Sequence, residues 1–160
     1  VQPASRVASL LEMDAEAPVV YIEKRLFSSS IPVIHCVNYV PLHLIDPNLA
    51  EQAAPLFRQA ETSYRFLEAY CKRTVHHQQS EISATAADKS LAHWLECQEG
   101  APLLCVEEVG YADDMTPVFY GLNHFRGDMV RFRQLRRTSV DITATVSLGD
   151  GHFTRSIPAP

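Results

Sequence analysis

Two stretches of the chain, residues 17–40 and 101–125, read APVVYIEKRLFSSSIPVIHCVNYV and APLLCVEEVGYADDMTPVFYGLNHF. Both begin with Ala-Pro, run through apolar residues to a glutamate, and cross a polar turn to a Pro-Val pair. Each then reaches an asparagine at the same spacing, and the second copy differs in length only by one residue in its turn. Self-similarity of this kind indicates a duplicated structural unit.

Each copy predicts a β-hairpin, because an apolar run, a polar turn and a return run starting at proline fit two antiparallel strands. Between the copies, the pattern predicts helix over 48–73 with a break at Pro55 and a new cap at 61–63, then a strand over 74–87. A short helix over 88–100, with an Asp cap and a Gly stop, follows. After the second hairpin, 129–135 alternates as a last strand. This order predicts an α+β domain whose antiparallel sheet is built from two similar hairpins plus connecting strands, with helices on one side.

The composition is that of one ordinary globular domain. The chain has 160 residues, of which 46% are hydrophobic and 21% charged, and a net charge of −5. An acidic chain contacts phosphate poorly, so we expect no DNA binding by this chain alone. No apolar run approaches the length of a membrane span. We expect 1–137 to form the domain, with 1–16 as a leading helix or linker, and 138–160 to be a C-terminal extension that is loose or forms one short strand.

The return strands carry the sharpest functional signal. Side chains alternate between the faces of a strand, so one face of each return strand holds a single asparagine, Asn38 or Asn123, among largely apolar neighbours. A buried amide without a partner costs about 1–3 kcal/mol. Its partner is either backbone or water, or a polar ligand in a small-molecule pocket on the sheet.

No catalytic or metal-binding pattern accompanies these positions. The motifs G-x-S-x-G, H-E-x-x-H, G-x-G-x-x-G and the P-loop are absent from the sequence. His76 and His77 are adjacent, which is poor geometry for a shared metal on a strand. Glu23 and Glu107 match in the repeat, but no nucleophile joins them, so we interpret both as surface or edge-strand residues. We expect no metal, no cofactor and no enzymatic activity.

Three segments together resemble a known family. GAPLLCVEEVGYADDMTPVFYGLNHFRGDMVRFR (100–133), IPVIHCVNYVP (31–41) and TSYRFLEAY (62–70) are similar to the UTRA domain of HutC-type regulators in the GntR family of bacterial transcription factors. The resemblance implies a chorismate lyase-like fold, an antiparallel sheet with flanking helices. It also implies that the Arg-Gly-Asp of 126–128 is a turn between the last two strands, with Asp128 as a turn and capping residue and Val130 and Phe132 in the core.

The resemblance further implies an effector sensor. A small metabolite such as a sugar, sugar phosphate or amino acid would bind the domain and control a winged-helix DNA-binding domain expected to precede residue 1. The protein would be cytoplasmic and homodimeric, would contact DNA only through that other domain, and would have no membrane partner. Two alternatives stay open, a dimerisation module whose pocket is vestigial and an enzyme with a chorismate lyase-like fold.

Several ligand-binding positions of the family are occupied by different residue types in this chain. Many relatives have two arginines on the outgoing strand of the first hairpin, where this chain has Lys24 and Leu26, and glutamates where it has Cys36 and Phe119. A lysine offers phosphate a point charge and not the bidentate fork of arginine, which favours a neutral or singly charged ligand. The ligand-binding residues predicted on this basis are Lys24, Cys36, Asn38, Ser80, Phe119, Asn123 and Phe125.

Overall fold

The computed structural model describes residues 1–60, 62–133, 144–148 and 151–155. The chain divides into two compact units, Val1–Val130 and Arg131–Pro160. None of the helices in the described residues is long and apolar enough to span a membrane.

The larger unit is built on a five-stranded antiparallel sheet. Its strands are β1 (Val19–Ser28), β2 (Ile31–Pro41), β3 (His77–Ala86), β4 (Pro102–Tyr111) and β5 (Pro117–Arg126). Their order across the sheet is β1-β2-β5-β4-β3. The α+β class and the antiparallel sheet predicted from the hairpin repeat are therefore confirmed.

The two hairpins pair with each other through their return strands, β2 and β5. Val37 lies opposite Leu122, and these two residues occupy the same position of the sequence repeat. The repeat is therefore related by an approximate two-fold axis through this pair of residues. On one side of the axis Asn38 faces Gly121, and on the other side Cys36 faces Asn123. The duplication thus brings the two asparagines to neighbouring positions at the centre of the sheet.

Short helices pack on the sheet. They are α1 (Ser5–Leu10), α2 (Ala53–Gln59), α3 (Ser63–Phe66), which continues as a π-helical turn over Leu67–Cys71, and α4 (Lys89–Leu95). Two further turns, Leu42–Leu44 and Pro47–Gln52, are 3-10 helical.

The helix caps were predicted better than the helix ends. Thr62 accepts from the backbone N–H of Arg65, and Asp88 accepts from that of Leu91, so both predicted caps are confirmed. The break predicted at Pro55 was wrong, because Pro55 lies in the first turn of α2, where no backbone N–H partner is lost. The Gly stop of α4 was also wrong. The helix ends at Leu95, and Glu96 adopts the left-handed conformation at φ 50°.

The helices cover both faces of the sheet, and not one face as predicted. Val7 of α1 and Leu11, which follows this helix, pack on Val109 and Tyr120, while Trp94 of α4 contacts His35 on the same face. The opposite face packs against α2 and α3, where Phe57 and Phe66 join strand residues Val20, Ile22, Val40 and Phe119. This second cluster is the main core. The periodicity of apolar residues shows which face of a helix is buried. It does not show which side of the sheet that face packs on, because both sides of this sheet offer an apolar surface.

Arg126, Gly127 and Asp128 form a turn, as the resemblance implied. The guanidinium of Arg126 donates to both carboxylate oxygens of Asp128, at 3.1 and 2.7 Å. A side chain at Gly127 would place its Cβ 2.8 Å from the carbonyl oxygen of Pro102, so only glycine fits there. The predicted last strand is wrong over the described residues 129–133, which form a turn and irregular chain, and Phe132 is 58% exposed instead of buried.

The smaller unit contains two described strands, β6 (Ala144–Leu148) and β7 (Gly151–Arg155), which pair antiparallel. The sequence indicated at most one short strand in this extension. The predicted looseness of the remaining residues lies outside the part of the chain that the structure describes.

Candidate functional site

The predicted ligand-binding residues all project from one face of the sheet, the face that also packs against α2 and α3. Strand register establishes this placement, because residues opposite each other in neighbouring strands share a face. Lys24 lies opposite Cys36, and Cys36 lies opposite Asn123. Phe119 and Phe125 share the face of Asn123 because they lie an even number of residues from it on β5. Ser80 joins them through its pairing with Glu108, which lies opposite Gly121. We call this surface the site face. Sequence alternation and the repeat therefore brought together residues from four strands.

Asn38 is the most buried polar group of the site face, at 6% exposure. The hydroxyl of Ser63, also buried, donates to its Oδ1 at 2.9 Å. Ser63 is held there because Thr62 caps α3 and starts the helix directly over β2. The described partner of Asn38 is thus a side chain on the helical layer, and this contact ties α3 to the centre of the sheet.

Asn123 has an acidic partner. Its Nδ2 donates to Oε2 of Glu108 on β4 at 3.2 Å. Gln78 on β3 forms a further side-chain hydrogen bond with Glu108, and the hydroxyl of Tyr64 on α3 donates to Oε1 of Gln78. These contacts connect the sheet with the helical layer. We call the set the polar ring, and its members are Asn38, Ser63, Tyr64, Gln78, Glu108 and Asn123.

Gly121 lies in the middle of the polar ring. It faces Asn38 on β2 and Glu108 on β4. A Cβ at this position would meet Asn38 Oδ1 at 3.4 Å, the Phe119 ring at 3.5 Å and Asn123 Nδ2 at 3.7 Å. The absence of a side chain therefore leaves a space the size of a methyl group bordered by two amides and an aromatic ring.

An aromatic pair, the buried ring of Phe119 and the exposed ring of Tyr64, borders the polar ring. Phe119 is 2% exposed and lies against Gly110, where any Cβ would clash with its ring. Tyr64 meets Phe119 edge-to-face, with ring centroids 5.6 Å apart. Phe119 thus belongs to the main core and forms a wall beside the site.

Lys24 and Cys36 lie next to the polar ring on the hairpin side. Lys24 Nζ donates to the carbonyl oxygen of Ala60 at 3.5 Å, at the end of α2. Cys36 is buried, and burial raises the pKa of its thiol to about 11, so it is neutral at physiological pH. Ser80 is exposed on β3, where Gln78 Nε2 donates to its Oγ at 3.4 Å. Phe125 is half-buried one rung further from the polar ring.

The electrostatics of the polar ring are dominated by Glu108. Partial burial raises the pKa of this carboxyl, although hydrogen bonds from Gln78 and Asn123 oppose the effect. Burial, and next the charge of Glu108, raise the pKa of the Tyr64 phenol. Both shifts favour the neutral form of the group, the carboxylic acid of Glu108 and the phenol of Tyr64.

The repeat-matched glutamates Glu23 and Glu107 lie on the opposite face and are more engaged than predicted. Glu23 contacts His35 Nε2 at 2.8 Å and accepts from the Tyr21 hydroxyl at 2.9 Å. Glu107 binds Arg6 through two hydrogen bonds and accepts from the Tyr120 hydroxyl at 2.8 Å. These contacts hold α1 and the strands together. No group of three or more His, Cys, Asp and Glu within the described residues is arranged to hold a metal ion.

Sequence reasoning missed Ser63, Tyr64, Gln78 and Glu108. For Glu108 a signal was available, since it follows Glu107 in the second hairpin as Lys24 follows Glu23 in the first. Repeat position therefore assigns Lys24 and Glu108 to the same face. The other three come from a helix and an edge strand outside the repeat, and only the folded chain brings them to the asparagines.

The fold and the polar ring define a class: an α+β domain with a polar site between an antiparallel sheet and a helical layer. The family model described as the UTRA domain matches residues 1–131, and the chain belongs to this family. It is also 25% identical over 126 residues to the HTH-type transcriptional regulator GmuR of Bacillus subtilis. That match covers 79% of this chain but 51% of GmuR, so the chain spans about half the length of that relative.

Solved structures share the fold. The ligand-binding domain of a putative GntR-family transcriptional regulator from Bordetella bronchiseptica matches with a TM-score of 0.77 and 20% identity, covering 86% of this chain and 84% of that one. A putative transcriptional regulator from Streptomyces coelicolor matches with a TM-score of 0.71 and 26% identity, covering 86% and 89%. GmuR is named as a transcriptional regulator and the two solved structures as putative ones, and membership of the UTRA family supports a regulatory effector-binding domain.

Proposed function

We propose that this chain is the effector-sensing and dimerisation domain of a GntR-type transcriptional repressor of the HutC subfamily. A small metabolite binds on the site face, and its binding controls a winged helix-turn-helix DNA-binding domain outside this chain. In this role the chain binds without catalysing a reaction, acts in the cytoplasm, and reaches DNA only through that other domain. The observation that carries the proposal is the polar ring around Gly121, built from both halves of the repeat and from α3.

The chemistry of the polar ring favours a small polar ligand. Its amides, hydroxyls and single carboxylate offer both donors and acceptors, which suits hydroxyl-rich or amine-bearing metabolites. Lys24 adds a point charge nearby on β1. A multiply charged phosphate ester prefers the fork of an arginine, so we infer a ligand that is neutral or carries one charge.

Ligand binding has a direct route to the helical layer. Ser63 and Tyr64 of α3 contact Asn38 and Gln78 of the sheet, so a ligand inserted between them competes with or reinforces these contacts. A ligand shifts a conformational equilibrium only by its differential affinity for the two states. In this proposal, the ligand's difference in affinity for the two states arises from the contacts between α3 and the sheet.

A thermal-shift screen of the chain against sugars, sugar phosphates, amino acids and phosphonates tests the proposal. A ligand that binds only the folded state stabilises it by about 2.7 kcal/mol at a hundredfold excess over Kd. We expect a hit whose affinity, measured by calorimetry, falls at least tenfold in Gly121→Ala. The added methyl group fills the centre of the polar ring, yet its contacts of 3.4 Å and longer leave the fold intact.

Thr85→Ala is the matched control, because Thr85 is exposed on β3 and points to the opposite face. It should bind as the parent chain does. A hit that Gly121→Ala and Asn123→Ala both leave unchanged would place the ligand elsewhere. No hit at all, with a folded dimeric chain, would contradict the sensor and support a dimerisation module with a vestigial pocket.

A further inference from the structure

Glu108 and its chain neighbour Glu107 have different surroundings. Glu107 projects to the face covered by α1, where Arg6 forms two hydrogen bonds with it and Tyr120 a third. Glu108 projects to the site face, where its partners are the side-chain amides of Asn123 and Gln78. Amides donate hydrogen bonds but carry no charge, so these partners within the described residues do not neutralise the Glu108 carboxylate.

The ion pairs that the described residues form among themselves do not include Glu108. Their acidic members are Glu23, Glu96, Glu107, Asp114 and Asp128. Glu108 is nevertheless half-buried, which raises its pKa. A partly buried carboxylate without a cation is unfavourable for folding, and such a group is often retained for binding.

A ligand that covers Glu108 must compensate for the desolvation of its carboxylate. A neutral ligand strips water from the carboxylate and returns only hydrogen bonds, whereas an ammonium group returns a charge-assisted hydrogen bond as well. The rings of Tyr64 and Phe119, which meet edge-to-face beside the site, offer a cation further favourable contact. Charge and aromatic surroundings therefore both favour a cationic group over a hydroxyl at this position.

We propose that Glu108 is the specificity-determining residue of the site and that the ligand presents a protonated amine to it, as an amino sugar or an amino acid does. This inference rests on the proposed function, since it assigns the ligand chemistry of the same site. It predicts that affinity falls as the pH is lowered through the raised pKa of Glu108, because the neutral acid no longer attracts the ammonium group.

Matched pairs of compounds that differ by one ammonium group test this assignment. The probes are glucosamine with glucose, galactosamine with galactose, and lysine with 6-hydroxynorleucine, followed by the amide NMR signal of Gly121 at millimolar concentrations. We expect at least one amine to bind tenfold or more tightly than its hydroxyl partner, a difference of about 1.4 kcal/mol. Glu108→Gln, which keeps an acceptor for Asn123, should abolish this preference.

Glu81→Gln is the matched control, since it removes the same charge from an exposed residue of β3 on the opposite face. It should leave the preference for amines intact. Hydroxyl compounds that bind as well as the amines, or a preference that survives in Glu108→Gln, would overturn the amine assignment while the site itself stood. If none of the probes moves the Gly121 signal, the amine assignment also fails, and the wider metabolite screen alone decides the proposed function.

Discussion

Two adjacent residues, Glu107 and Glu108, have opposite effects on stability because strand alternation sends them to opposite faces. Hydrogen bonds from Arg6 lower the pKa of Glu107, so its ionised form stabilises the fold above its unfolded pKa and loses this effect as the pH falls through the folded pKa. Burial raises the pKa of Glu108, so its ionised form destabilises the fold at neutral pH. That penalty disappears as the pH falls below the pKa of the unfolded chain.

Glutamine substitutions separate the two effects. At neutral pH we expect Glu107→Gln to lower the free energy of unfolding by about 1 kcal/mol or less, because Arg6 is largely exposed and its ion pair is screened. Glu108→Gln should leave it unchanged or raise it. Urea unfolding between neutral pH and about pH 4 measures both, and both differences should shrink towards the acid end. A Glu108→Gln variant as destabilised as Glu107→Gln would show that its carboxylate stabilises the fold.

At the scale of the secondary-structure elements, the turn of the first hairpin has a backbone conformation that does not suit its residues. Ser29 and Ser30 join β1 to β2 with φ values of 47° and 71°. Two consecutive left-handed residues make the turn type that matches strand twist, and Asn-Gly is its preferred sequence. We expect Ser29→Asn with Ser30→Gly to raise the free energy of unfolding by about 0.5–1 kcal/mol in urea unfolding. Alanine at the same two positions should give no gain, and an equal gain from both pairs would contradict the conformational explanation.

The elements also show how far the sequence predicts this structure. The hairpins, β3 and the caps at Thr62 and Asp88 follow from local pattern, because each depends on residues close together in the chain. The end of α4 does not, since Glu96 adopts a conformation that usually signals glycine. The placement of Asn38 and Asn123 on one face was predictable, because it follows from strand alternation and the repeat. The approach of Tyr64 and Gln78 was not predictable, because it depends on tertiary packing.

In the larger unit as a whole, the duplication produces a site that is symmetric in position and asymmetric in charge. The two-fold axis through Val37 and Leu122 relates Asn38 to Asn123 and also relates Lys24 to Glu108. Equivalent positions therefore present a cation on one hairpin and an anion on the other. The duplicated sheet half places equivalent residues symmetrically. Substitution of single residues makes their charges differ, so an asymmetric ligand can bind in one defined orientation.

The edges of the sheet bear on the proposed homodimer. Its two edge strands are β1 and β3, and every residue of β3 is exposed, with Glu81 as its acidic residue and no lysine or arginine. A long edge with so little charge is prone to pair with another strand. We therefore expect the chain to form dimers through β3, with a mass by light scattering of twice its 17.9 kDa.

Lysines on β3 test which edge is used. Ser83→Lys with Thr85→Lys adds charge to this strand on the face away from the polar ring, and charged side chains on an edge oppose strand pairing. We expect dissociation to monomers at micromolar concentration, with ligand binding retained. The control variant, Ser9→Lys with Ser28→Lys, adds the same charge at two exposed positions outside β3 and should leave the dimer intact. A dimer that survives the β3 lysines pairs through another surface, and a parent chain that is monomeric removes the dimerisation part of the proposed function.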